Sequence, residues 1–300
     1  MLPSPSSRWL ILAAFAVVYI VWGSTYLINY FAILSIPPFI MSGSRFMTAG
    51  LILYAVGRVM GQPLGTFIQW RNAVFAGIML LGIGTGGVVW AVQWVDTGIA
   101  ALIVAFEPLL VVLLLWPMRK QRPGGKSLLG IAVGIAGMAL LVAQDQLIAD
   151  KNTALGVLVI FIGILSWGYA AIWVGTAKLP ASSMQTSAMQ MMGGGAALLL
   201  LSGVSGEWTN FDWHNITSKS MYSWIYLVLM GSILAFSAFN YLLARVSPEK
   251  VVTTNYVNPV VAMLLGWSFN NEIISTQSIV ASLLLLTGVF FIVSTKKTAA

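Results

Sequence analysis

Glu107 is the residue with the most chemistry to offer. It lies ten positions into an apolar stretch, 98–117, about 15 Å deep at 1.5 Å per residue. A carboxylate there costs about 2.5–3.5 kcal/mol on insertion scales, so it must face a wet cavity or a partner. Pro108 follows it and cannot donate its backbone nitrogen, which frees a carbonyl one turn earlier. Three roles suit such a carboxylate: contact with a substrate amino group, proton coupling, or pairing with a neighbouring helix for packing. Arg45 lies at similar depth in another stretch, 37–59, and is placed to pair with Glu107. Alternatively it caps carbonyls, or contacts a substrate carboxylate.

Around these charges the sequence offers walls and polar stripes. Tyr19, Trp22 and Tyr26 share one helical face, spaced three and four residues apart, and Trp22-Gly23 recurs as Trp167-Gly168. Such rings can wall an apolar side chain, hold a cation or pack helices tightly. Ser237 and Asn240 form one polar stripe, and Thr254, Asn255 and Asn258 another. Amides find no partner in lipid, so both stripes point inward, toward a solute or a neighbouring helix. Thr85 sits in the glycine run GIGTGG (82–87), which permits close backbone approach or a local helix break. Little positive charge lies inside the membrane, which argues against phosphate-ester cargo.

These residues need elements that cross a bilayer. The chain has 300 residues, 59% of them hydrophobic, with 8% charged and a mean hydropathy of +0.90. Soluble domains carry about 25% charged residues, so a soluble enzyme, a nucleic-acid binder and a disordered chain are excluded. With no Cys and one His (His214), Cys-based metal sites, His clusters and Ser-His-Asp triads are excluded, and no cofactor is expected. Ten stretches meet the requirement of about 20 mostly apolar residues. They are 9–32, 37–59, 71–94, 98–117, 127–144, 154–176, 183–204, 220–244, 250–269 and 275–295, spans one to ten. The expected fold is therefore all-α, a polytopic membrane protein of ten transmembrane helices. The longest link, 205–219, carries Trp208, Phe211 and Trp213, suited to an interfacial belt.

Twelve Lys and Arg fall on the side holding both termini, two on the other, and Arg45 within a span. That asymmetry predicts cytoplasmic termini. A shift of 145–151 residues relates the halves. It matches Pro108 to Pro259, Trp116 to Trp267 and Gly137 to Gly288, and places Asn258 where Glu107 stands. The expected units are 1–146 and 147–300. Five helices each make the second unit inverted relative to the first. Inverted repeats place a site near the midplane and work by alternating access.

The pieces VWGSTYLI (21–28), SRFMTAGLIL (44–53), the EPLL and NPVV helices and GWSFNNEIISTQSIVASLLLLTGVFFI (266–292) resemble the drug/metabolite transporter superfamily, in its EamA-type branch. One departure is Gln121, which stands where the shift puts Glu272. Within that superfamily the chain is similar to bacterial amino-acid exporters. The resemblance implies efflux of aromatic and other neutral amino acids across the inner membrane, with other small metabolites or cationic drugs as the alternative cargo. Expected partners are a small-molecule substrate and membrane lipid, not nucleic acid. Gly130-x-x-x-Gly134 packs helices closely, either within one chain or at a dimer seam. No GxxxxGK[ST] phosphate-binding motif is present, so ATP is not the direct energy source. A membrane enzyme would need clustered acids, and a channel a charged or carbonyl-lined ring; neither stands out.

Overall fold

The computed structural model describes residues 5–120, 122–144, 147, 150–243, 246 and 254–294. Among them every regular element is a helix and none is a strand. Each of the ten expected spans contains a helix. Eight helices are long and apolar enough to cross a membrane, from Arg8–Ile33 to Ser218–Phe239. Span nine is the shorter helix Thr254–Asn270; residues 250–253, expected to begin it, lie outside the described residues. Span ten is Thr276–Val293. Span three begins at Phe67, earlier than expected, because Thr66 and Gln69 form a reciprocal capping box.

Helices pack closely where side chains are missing. Gly43 and Gly50 of span two meet span seven at Leu199 and Met192, and Gly194 and Gly195 of span seven return the contact to spans three and two. The second seam joins spans five and ten. A Cβ on Gly288 would lie 2.6 Å from the Gly130 carbonyl oxygen and 2.8 Å from the Gly134 nitrogen. The small-residue spacing at Gly130 and Gly134 therefore serves packing inside one chain. Spans two and seven, and spans five and ten, are partners under the sequence shift, so the two tightest seams each join matching helices of the two halves.

The two ends of the bundle are tied differently. At one end, Glu207 accepts hydrogen bonds from the backbone N–H groups of Phe39 (3.1 Å) and Ile40 (2.9 Å), at the start of span two. Glu272 accepts from the Thr97 N–H (3.0 Å), the Thr97 hydroxyl (2.7 Å) and the Gly98 N–H (3.1 Å), at the start of span four. Helix N-termini present unpaired N–H groups and a positive dipole end, so a carboxylate satisfies both. Asn271, in the left-handed region at φ 55°, ends span nine and turns the chain so that Glu272 reaches back. At the opposite end the ties are neutral: Asn72 donates to the Lys178 carbonyl (3.1 Å) and Gln185 to that of Pro63. Gln121, the repeat counterpart of Glu272, lies outside the described residues.

Three spans leave α-helical winding. π-helical stretches occupy Val18–Trp22 in span one, Ile78–Thr85 in span three and Leu227–Leu234 in span eight. Span four is interrupted outright: helix Thr97–Val104 stops, and a second helix starts at Glu107 and runs to Arg119. Pro108 is the cause, since it cannot donate to the Val104 carbonyl.

The seam between spans five and ten gives a direct test. Adding one methyl in Gly288→Ala should lower the unfolding temperature of the purified protein by roughly 3–10 °C, because its neighbours are backbone atoms that cannot step aside. Gly125→Ala, which meets nothing within 4 Å, should leave it unchanged. Thermal melts of both variants check this.

Candidate functional site

The π-helical stretches and the break in span four surround one internal cavity of about 180 Å³. That is room for several waters or one small metabolite. Its walls come from both halves of the chain: spans one to four and spans six to nine contribute lining residues. Thr85 in span three and Ser232 in span eight reach it from corresponding π-helical stretches. Such insertions are rare and recur at functional sites, because they redirect side chains and loosen carbonyls.

Glu107 opens the second half of span four and faces this cavity. Its carboxylate has no hydrogen-bond or ion-pair partner in the protein among the described residues. The positive end of the helix Glu107–Arg119 favours its charge. Val104, whose carbonyl Pro108 leaves without its helical donor, lines the cavity beside it. Asn258, the repeat counterpart of Glu107, lines the cavity too, and its Oδ1 is buried without a donor. A carboxylate and an unfilled amide oxygen converge here from matching positions of the two halves.

Arg45 is 5% exposed and also lines the cavity, but it does not pair with Glu107. Its Nε donates to Ser232 Oγ (2.9 Å) and its Nη1 to Asn29 Oδ1 (3.0 Å). The expected direct pair gives way to these two neutral acceptors from spans one and eight, so the two charges face the cavity separately.

The aromatic wall is Trp22 and Trp167, with Tyr26, Phe46 and Phe236. Trp22 donates its Nε1–H to the Gly231 carbonyl (3.2 Å), which fixes the ring against the π-helical stretch of span eight. Gly84 sits under Trp167, where a Cβ would lie 3.1 Å from the ring.

Of the residues expected to form a site, Trp22, Arg45, Thr85, Glu107, Trp167 and Asn258 share this cavity. Tyr19 and Ser237 do not line it. The Tyr19 ring packs beside Phe15, and Ser237 donates back to the Ile233 carbonyl of its own helix (2.6 Å). Tyr19 lies within a π-helical stretch and Ser237 just after one, where regular 3.6-residue spacing no longer fixes which side chains share a face. The side chains of Asn240 and Asn255 lie outside the described residues. Thr25, Asn29 and Ser232 were missed. The first two were legible, since Trp22, Thr25, Tyr26 and Asn29 recur at helical spacing along span one.

A bundle of membrane-crossing helices with one internal polar-and-aromatic cavity between its halves has the build of a small-molecule transporter. The chain belongs to the EamA-like transporter family, whose description matches residues 7–143 and again 154–294. Among its relatives is the "Uncharacterized inner membrane transporter YedA" of Escherichia coli (strain K12), 34% identical over 86% of this chain and 82% of that protein. The "Uncharacterized transporter YoaV" of Bacillus subtilis (strain 168) is 22% identical over 91% of this chain and 93% of its own length. A solved crystal structure, 17% identical, shares the fold with a TM-score of 0.65 over 94% of this chain and 96% of that one. The chain is thus a multi-pass membrane transporter, and these relatives carry no substrate in their names.

Because Arg45 and Glu107 do not pair with each other, their contributions to stability should be independent. The unfolding free-energy changes of Arg45→Gln and Glu107→Gln, measured without substrate, should add in the double variant to within about 0.5 kcal/mol. A coupling larger than about 1 kcal/mol would indicate a direct pair.

Proposed function

We propose that this chain is a secondary transporter of the inner membrane that exports aromatic and other small neutral amino acids. In this reading, 1–146 and 147–300 are inverted halves that rock about the cavity, exposing it to one side at a time. The observation that carries the reading is Glu107. Among the described residues it is an unpartnered carboxylate in the membrane interior, and it lines the same cavity as Trp22 and Trp167. A substrate ammonium group supplies the missing counter-charge, and the rings take an apolar side chain.

The unfilled Asn258 amide oxygen adds a neutral acceptor suited to the same ammonium group. The excess of Lys and Arg on one side supports cytoplasmic termini. The end tied by Glu207 and Glu272 is then the outer one. The name of the Escherichia coli relative supports the inner membrane as the location.

An organic cation is the second reading, since Glu107 with two tryptophans also suits that cargo. The guanidinium of Arg45 in the same cavity weighs against it.

Counterflow in proteoliposomes decides between them. Preloaded phenylalanine or another neutral amino acid should drive saturable uptake of labelled phenylalanine. Glu107→Gln should cut that uptake at least about tenfold if the lost charged contact is worth 1.4 kcal/mol or more. If no neutral amino acid competes while organic cations do, the amino-acid reading is wrong and the cation reading stands.

A further inference from the structure

The mechanism above uses Glu107 and leaves the second intramembrane charge unexplained. Arg45 is 5% exposed, yet its two hydrogen-bond partners, Ser232 and Asn29, are both neutral. No carboxylate of the protein lies within ion-pairing distance among the described residues. A guanidinium kept only for packing would be neutralised by an acid of a neighbouring helix, as buried charges are elsewhere. Here the nearest wall is the cavity itself, which Arg45 lines.

Its surroundings are shaped to hold the group in place while leaving part of it unused. Ser232 fixes Nε from span eight and Asn29 fixes Nη1 from span one, so both approach from the second and first halves of the chain. Nη2 makes no hydrogen bond to the described residues. It passes over Gly231, where a Cβ would come within 3.1 Å of it. Any larger residue at 231 would press on the free end of the guanidinium. Three positions thus orient Arg45, and all three, Asn29, Gly231 and Ser232, line the cavity with it.

The geometry points to Arg45 as the subsite for a single substrate carboxylate, with Asn29, Ser232 and Gly231 as its positioning residues. One planar guanidinium with two neutral ties suits a monoanion. A phosphate dianion would call for further positive charge, and among the described residues Arg45 is the single basic one that lines the cavity. The inference deepens the proposed export of zwitterions: Glu107 takes the ammonium end and Arg45 the carboxylate end of one small molecule. Because Arg45 is held from spans one and eight, a carboxylate bound there is also linked to the relative position of the two halves.

Isothermal titration of the full-length purified protein with three probes tests this independently of transport. Phenylalanine carries both end groups, phenylacetate the carboxylate alone and phenethylamine the ammonium alone. Arg45→Gln should weaken phenylalanine and phenylacetate at least about tenfold and leave phenethylamine within about twofold, as expected for loss of one charge-assisted contact. Ser232→Ala, which removes one tie and keeps the charge, should show the same pattern more weakly and serves if Arg45→Gln does not fold. The inference is overturned if Arg45→Gln and Ser232→Ala weaken all three probes alike or none of them. It is likewise overturned if wild-type protein binds neither carboxylate probe. Glu107→Gln separates the two claims. If it fails to weaken phenethylamine, the ammonium contact is wrong, while the carboxylate contact still stands or falls on phenylacetate.

Discussion

The hydrocarbon core of a bilayer offers no hydrogen bonds, and most of this structure follows from that. Each polar group inside the spans must be satisfied by the protein or face a cavity. Some meet the requirement within their own helix, as Ser24 donates to the Val21 carbonyl and Thr25 to that of Trp22, and others across helices, as Ser166 donates to the Met79 carbonyl. Arg45, Glu107 and Asn258 are left with unused capacity, and all three face the same cavity. Among the described residues Ser42 Oγ, Gln185 Oε1 and Tyr256 Oη are also buried without a partner, away from the cavity lining, so what sets the cavity apart is that both intramembrane charges, Arg45 and Glu107, line it.

The same constraint governs the backbone. Span four breaks where Pro108 removes a donor, and the break is tolerated because Val104 and Glu107 line the cavity rather than lipid. At the bundle end where spans two and four begin, the exposed N–H groups of helix starts are taken up by Glu207 and Glu272 from the second half of the chain. Burial pushes the Glu207 carboxyl above its usual range, with the Phe39 and Ile40 N–H groups pulling the other way. Glycine seams bring spans two and seven, and spans five and ten, into close backbone contact. The π-helical stretches of spans three and eight lie instead around the cavity.

The spans were legible in the sequence because runs of about 20 apolar residues leave few alternatives. Span four was expected unbroken over 98–117, with Pro108 marking only a freed carbonyl; the stop after Val104 and restart at Glu107 came from the structure. Side-chain facing was read well where winding stays α-helical. Trp167 lies on such a helix, and Glu107 and Asn258 each sit beside a proline that fixes the local geometry. It was read unevenly at π-helical stretches, which carry no simple sequence mark: Trp22 and Thr85 line the cavity as expected, whereas Tyr19 and Ser237 do not. Similar depth suggested that Arg45 and Glu107 pair. Depth along two helices does not fix their separation across the bundle, and Ser232 and Asn29, from spans one and eight, stand in that role.

The central claim is that the cavity between the halves is a transport site open to one side at a time. The chain contains no cysteine, so one introduced at Thr85 is a unique reporter on the cavity wall. In oriented membrane vesicles, the Thr85→Cys protein should react with a membrane-impermeant maleimide from whichever side is open, and added substrate should shift the balance between sides. Equal, simultaneous reaction from both sides, unchanged by substrate, would mean a continuous water path and would contradict the account.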